Sequence, residues 1–134
     1  RKAVHPEAQG DEESFTARID LTPRWKGIYE TWHRTIDSPT PDSLTITDEY
    51  ELAEGDGVEF MWNTFLPVTV GEDVVTIEGE CARVAIEIPA NCDARVDELP
   101  MPEKGPQRRI VFRRSGKAGR LEVKASLIAK AERD

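Results

Sequence analysis

The sequence predicts an all-β protein, an antiparallel β-sandwich of about eight to ten short strands. Apolar and polar residues alternate with a period of two along most of the chain, which is typical of strands buried on one face. Clusters of Ser, Pro, Asp and Gly interrupt this alternation about every 8–12 residues, the spacing of turns in a sandwich. No segment carries the period of a helix longer than one or two turns.

The length and composition suit a single folded domain. We expect residues 14–134 of the 134-residue chain to form it, after a polar segment over residues 1–13. Hydrophobic residues make up 38%, and three Trp, two Tyr and four Phe residues argue against disorder. No apolar run reaches the roughly 20 residues of a membrane helix. Because the chain begins with Arg1 rather than Met, we expect a fragment or a processed product.

The clearest strand pattern lies between residues 14 and 52. It predicts three amphipathic strands, over SFTARIDLT, IYETWHRTI and SLTITDEYEL. The segment SPTPDS (38–43) is a turn cluster that joins the last two strands in a hairpin. Two later clusters, EGDG (54–57) and SGKAG (115–119), are also expected to be hairpin turns.

Arg34 and Asp48 are charged residues on otherwise apolar strand faces. A hairpin through SPTPDS places them opposite or diagonal to each other. Because a buried carboxylate is costly unless it is paired, the sequence predicts a structural ion pair between them. A substrate-binding role for Arg34 is the alternative.

The histidines, tyrosines and cysteines do not form a recognisable reactive site. Tyr29 and His33 are predicted on the same strand face, but i and i+4 are about 13 Å apart along a strand, too far to act as a pair. His5 and His33 have no cluster of Cys or carboxylates that would make a zinc site. Cys81 and Cys92 are expected to be two small buried thiols without a disulfide. We therefore predict no catalytic residue, no metal ligand and no cofactor.

Three tryptophans are candidates for stacking on sugars. Trp32 and Trp62 lie on alternating apolar faces, and we expect both in the core. Trp25 follows Arg24 in a loop, so it is the candidate for an exposed, substrate-binding residue.

Charge is distributed unevenly along the chain. The net charge is −8, but residues 1–102 hold 8 basic and 22 acidic groups, whereas residues 103–134 hold 10 basic and 4 acidic groups. The basic set is Arg108, Arg109, Arg113, Arg114, Lys117, Arg120 and Lys124. We expect a solvated hairpin that pairs with the acidic remainder; the alternative is a surface that binds an acidic polysaccharide, with Arg113 and Arg114 in contact. Nucleic acid is not an expected partner, because the overall charge is negative and no recognition motif is present.

The segments IDLTPRW, ETWHRTID and LTITDEYEL together resemble the C-terminal β-region of the heparinase II/III-type polysaccharide lyases. VTIEGECARVAIEI and GRLEVKASL look like the closing strands of the same region. The resemblance implies an upstream helical toroid domain as partner and a parent enzyme that cleaves uronic-acid-containing polysaccharide by β-elimination. It also implies a periplasmic or secreted location.

The same resemblance transfers no catalytic or metal residue. In the family these residues lie largely in the toroid and in two His-containing motifs upstream of the DLT segment, an HxD-like element and an HN-like element. Neither of these two motifs occurs in this sequence. We therefore expect a supporting or substrate-cleft domain that is inactive alone. A free-standing carbohydrate-binding sandwich is the main alternative, and a structural or adhesion domain is the third.

Overall fold

The computed structural model describes residues 7–25 and 27–130, which form eleven β-strands and one 3-10 turn over Thr22–Arg24. The strands are β1 (Glu7–Gly10), β2 (Phe15–Asp20), β3 (Tyr29–Ser38), β4 (Ser43–Leu52), β5 (Gly57–Thr64), β6 (Val68–Val70), β7 (Val74–Glu78), β8 (Ala82–Glu87), β9 (Cys92–Leu99), β10 (Gln107–Ser115) and β11 (Ala118–Ala129). This is slightly more than the eight to ten strands predicted. The polar segment over residues 1–13 contributes one of them, β1, which pairs with β2.

Two antiparallel sheets of unequal size form the sandwich, which confirms the predicted fold class. The large sheet has eight strands in the order β1-β2-β3-β4-β11-β8-β7-β6. The small sheet has three strands in the order β5-β10-β9. Core residues come from β4, β11, β8 and β7 of the large sheet, so these are the strands that the small sheet covers. Strands β1 and β2 extend beyond it, and β1 is exposed throughout.

The core lies between the two sheets, where the apolar residues of each strand face inward. Its largest fully buried side chains include Phe112 and Ile110 from β10 and Ile86 from β8. Each such side chain contributes about 1.5–3 kcal/mol through its removal from water. Tyr50 is also buried, at 5% exposure, as its position on the apolar face of β4 predicts.

The hairpin through SPTPDS is confirmed, but the other two predicted hairpins are wrong. Strand β4 pairs with β3 and β11, whereas β5 pairs with β10 in the other sheet. Likewise β10 and β11 belong to different sheets. Residues 53–56 and 116–117 are therefore crossovers between the sheets, and they lie side by side, with the Gly116 N–H donating to the Asp56 carbonyl over 2.6 Å. Alternation and turn residues identify a strand end but not the sheet that the chain enters next.

The two cysteines are free, and only one matches the expectation of a partly buried thiol. Cys92 begins β9 and is partly buried, whereas Cys81 is exposed. The prediction that both thiols are buried is wrong for Cys81, because it lies in the bend before β8 rather than inside the strand.

Within residues 7–25 and 27–130, no helix is long and apolar enough to cross a membrane.

Candidate functional site

An aromatic cluster occupies one end of the sandwich, where β3 begins. The Tyr29 and Trp32 rings stack with centroids 4.7 Å apart and an interplanar angle of 24°. Trp25 packs against Trp32 in a tilted arrangement, with ring centroids 6.1 Å apart and an interplanar angle of 52°, and is 42% exposed. We call these three residues the aromatic cluster. Within it, Trp25 is exposed to solvent and packs against Trp32, which is stacked on Tyr29.

The 3-10 turn before β3 fixes the position of Trp25. Pro23 favours this turn because its ring sets φ near the helical value and its missing N–H needs no partner there. Thr22 anchors the turn to β3, since its hydroxyl accepts a hydrogen bond of 2.8 Å from the Trp32 backbone N–H. The Tyr29 N–H then donates to the Trp25 carbonyl over 3.0 Å and closes the loop.

A β-bulge at Glu30 brings Tyr29 into the cluster. Tyr29 pairs with Leu52 and Thr31 pairs with Glu51, so Glu30 is an extra residue on β3. The bulge reverses the alternation and places Tyr29 on the same inner face as Trp32. The prediction that Tyr29 shares a face with His33 is therefore wrong.

The structure brings Arg34 and Asp48 together beside the aromatic cluster. Arg34 Nε donates to Asp48 Oδ1 over 2.8 Å, and Arg34 Nη2 donates to Asp48 Oδ2 over 2.9 Å. The Trp32 indole N–H donates to Asp48 Oδ1 over 3.0 Å. Asp48 is only 6% exposed, and these three donors satisfy its carboxylate. The Arg34 guanidinium lies over the rings of Trp32 and Phe60, at 5.5 Å and 5.7 Å from their centroids, and so contacts both sheets.

The surroundings of Tyr29 disfavour its phenolate form. Burial raises the pKa of the Tyr29 phenol above its ordinary value, and the negative charge of Asp48 raises it further. The phenol therefore stays protonated at neutral pH.

His33 lies on the outer face of the large sheet, away from the aromatic cluster. Its Nδ1 is 3.8 Å from Asp20 Oδ1, and both side chains are about half exposed. The Thr22 side chain and backbone N–H are hydrogen-bonded to Asp20 and hold the pKa of this carboxyl below its usual value, with a smaller contribution from His33. Neither Tyr29 nor Tyr50 lies beside this pair, because both are on the inner face of the large sheet.

The basic residues near the C-terminus do not all lie on one surface. Adjacent residues on a strand point to opposite faces, so Arg113 and Arg114 do not point the same way. Arg113 is on the outer face of the small sheet, where its Nη2 is 3.3 Å from Asp56 Oδ1. Arg114 points toward the interior, and its Nη1 donates to the Tyr50 hydroxyl over 2.8 Å. Arg120 and Lys124 lie on the large sheet and both contact Glu122.

No group of three or more His, Cys, Asp or Glu side chains that could hold a metal ion occurs in the described part of the chain.

Seventeen solved chains match this fold, among them three structures of heparinase-type enzymes. A mutant of the heparan sulfate lyase HepC from Pedobacter heparinus superposes with a TM-score of 0.72 at 8% identity, over 97% of this chain and 22% of that one. A heparinase III gene product superposes with a TM-score of 0.66 at 9% identity, over 95% of this chain and 21% of that one. Its methylated-lysine form gives the same TM-score and identity over 96% of this chain.

The chain has a heparinase-like fold. The resemblance predicted from residues 14–52 is thereby confirmed at the level of the fold. The chain spans about a fifth of the length of these lyases. No protein-family model and no curated protein sequence matches it.

Two features of the structure were not predicted from the sequence. The bulge at Glu30 is hidden because Ile28 continues the period of two set by Trp32 and Ile36, yet Ile28 is 48% exposed and Tyr29 takes the inner position. Gly119 was placed in the predicted turn SGKAG, whereas it lies inside β11 with the Arg114 guanidinium against its backbone.

Proposed function

We propose that this chain is the C-terminal β-sandwich of a longer polysaccharide lyase of the heparinase II/III type, and that it supports catalysis without carrying the catalytic residues. One observation carries the proposal: the fold matches 97% of this chain to 22% of a heparan sulfate lyase. Because nearly all of this chain corresponds to a small part of that enzyme, it fits one supporting domain of a larger protein.

The reaction assigned to the longer protein is β-elimination on a uronic-acid-containing polysaccharide. Its helical toroid would supply the Tyr and His that move the protons, and this sandwich would form a wall of the substrate cleft. The enzyme would be periplasmic or secreted, where such polysaccharides are found.

The chemistry of the described residues supports an inactive sandwich. Elimination needs a base beside the substrate, and a candidate base must reach the proton that it abstracts. Tyr29 is stacked, and its raised pKa keeps it protonated. Tyr50 is buried and hydrogen-bonded to Arg114. His33 is on the opposite face from Tyr29, so no Tyr–His pair forms from these residues.

A lyase assay tests this proposal. The longer protein and this chain alone are each incubated with heparan sulfate, chondroitin sulfate, hyaluronan and alginate, and the ultraviolet absorbance of the new double bond is recorded. We expect absorbance from the longer protein only. Absorbance from this chain alone, or none from either protein, would contradict the proposal.

A second candidate function, carbohydrate binding by the isolated sandwich, is favoured by the exposure of Trp25. A half-exposed indole on two packed rings is a rigid apolar surface for the face of a sugar ring. The Trp25→Ala variant is therefore expected to lose retention on immobilised polysaccharide. Phe65→Ala is the matched control, since Phe65 is an exposed aromatic residue, at 43%, outside the aromatic cluster. Equal retention of wild type and Trp25→Ala would exclude this function for Trp25.

A further inference from the structure

A notch opens in the large sheet beside β11. The register between β11 and β8 begins at Ala125, whereas β11 pairs with β4 from Ala118 onward. Residues 118–124 therefore have a strand partner on one edge and none on the other, in the described part of the chain. The β8–β9 turn passes beside this free edge and borders a cavity of about 410 Å³ that is open to solvent.

Charged and polar side chains line the notch. It contains Arg114, Arg120 and Lys124, the carboxylates of Glu87 and Glu122, and Asn91. Three cations against two carboxylates leave an excess of positive charge, in a chain whose net charge is −8. The free edge of β11 adds backbone N–H and C=O groups, which alternate along a strand.

Arg114 is held in the notch by two specific contacts. Its Nη1 donates to the Tyr50 hydroxyl over 2.8 Å. Its guanidinium also lies directly against the backbone of β11 at Gly119, where a Cβ atom would overlap Nη1. A residue with a side chain at position 119 would therefore displace the guanidinium, so glycine at this position serves the placement of Arg114.

Arg114 has no ion-pair partner among residues 7–25 and 27–130, whereas Arg120 and Lys124 each have one. Arg120 Nη2 is 3.0 Å from Glu122 Oε2, and Lys124 Nζ is 3.4 Å from Glu122 Oε1. Glu122 thus offsets one of these two cations. The Arg114 guanidinium is partly buried, and its hydrogen-bond partner is the Tyr50 hydroxyl rather than a carboxylate.

We propose that this notch binds a carboxylate or sulfate group, with Arg114 as the principal contact and Lys124 and Arg120 beside it. A guanidinium is planar and offers paired donors that match the oxygens of such groups. Because Tyr50 and Gly119 hold it in place before binding, little side-chain entropy is lost on binding. The proposal does not rest on the lyase function, since any ligand that carries such a group satisfies it.

Two variants distinguish the effect of the Arg114 position on binding from the effect of its charge. Arg114→Gln removes the cation. Gly119→Ala keeps the cation but places a methyl group where its guanidinium lies. We expect the fold to tolerate this change, because the overlapping atoms are the tip of a flexible side chain. Arg113→Gln is the matched control: it removes the same charge from the neighbouring position on the opposite face of β10.

The test is an NMR titration of the ¹⁵N-labelled chain with sodium glucuronate, sodium sulfate and, as a neutral comparison, glucose. We expect the backbone amides of Gly119 and Asn91 to shift with one or both anions and not with glucose. Arg114→Gln and Gly119→Ala should each weaken binding by about tenfold or more, whereas Arg113→Gln should bind like the wild type.

The pattern of response identifies the bound group. A shift with sulfate alone assigns a sulfate site, and a shift with glucuronate alone assigns a carboxylate site. The proposal is overturned if neither anion shifts these amides, or if Gly119→Ala and Arg114→Gln bind as tightly as Arg113→Gln. Thermal unfolding of each variant confirms that a lost response does not reflect a lost fold.

Discussion

Arg34 and Asp48 lie directly opposite each other on β3 and β4 and share two hydrogen bonds, of 2.8 Å and 2.9 Å. The guanidinium lies over Trp32 of the large sheet and Phe60 of the small one, so the pair also links the two layers. Asp48 is almost fully buried, and its charge is tolerated because three donors surround it. The pair lies at the edge of the core, and we expect it to have a structural role there.

Removing one member of this pair should destabilise the protein more than removing an exposed pair. Asp48→Ala removes the acceptor for both the Arg34 guanidinium and the indole N–H of Trp32. We expect a loss of about 3 kcal/mol in the free energy of unfolding, the low end for a buried pair, because Arg34 remains 28% exposed. Urea unfolding monitored by tryptophan fluorescence measures it.

The control for this prediction is an exposed ion pair of similar length. Glu59 is 2.9 Å from Arg95, which is half exposed, and Glu59→Gln should cost less than about 1 kcal/mol. If the two variants lose equal stability, the Arg34–Asp48 pair does not have the role described.

Removing the Tyr29 ring should weaken the aromatic cluster. Tyr29→Leu keeps an apolar side chain at this position but removes the ring that stacks on Trp32 at 4.7 Å. We expect a loss of about 0.5–1.5 kcal/mol in the free energy of unfolding, the contribution of an aromatic pair, with a reduced near-ultraviolet circular dichroism signal. Glu30→Ala keeps the bulge and should change neither quantity by much. A Tyr29→Leu variant with an unchanged spectrum would show that the two rings do not form this stack.

Acid should destabilise the turn between β1 and β2 through Asp11. Its carboxylate accepts hydrogen bonds from the backbone N–H groups of Glu13 and Ser14, which lower the pKa of Asp11. A lowered pKa in the folded state contributes stability above the ordinary value, and this contribution is lost as the pH falls through the folded value.

Asp11→Asn tests this prediction, because asparagine keeps an acceptor oxygen but does not titrate. Urea unfolding between about pH 5 and about pH 2 should show a smaller loss of stability for the variant than for the wild type. At pH 7 the pH dependence of the two proteins should be equally flat. Parallel acid profiles would mean that Asp11 makes no pH-dependent contribution.

Much of the fold is visible in the sequence because strand burial leaves a period of two. The alternation from Leu44 to Leu52, broken only by Asp48, predicted both the inner face of β4 and the hairpin with β3. The turn residues also marked strand ends correctly. They did not reveal that the chain crosses between sheets after β4 and β10, because a crossover and a hairpin turn can use the same residues.

The site residues were harder to predict, since their positions depend on tertiary contacts. Trp25 could be placed in a loop, but its support by Trp32 and Tyr29 depends on a bulge that local sequence does not specify. Arg113 and Arg114 were treated together, although one faces solvent and the other enters a notch. The significance of Gly119 follows only from the guanidinium above it.

The most direct test of the proposed supporting role is to delete this sandwich from the longer protein and measure lyase activity. The substrate is the polysaccharide on which the intact protein is active, and the readout is absorbance of the unsaturated product. We predict that the intact protein is active, the isolated sandwich is inactive, and the deleted protein loses at least about 90% of kcat/KM, a tenfold effect that corresponds to about 1.4 kcal/mol. Full activity after the deletion, or activity in the sandwich alone, would contradict the account.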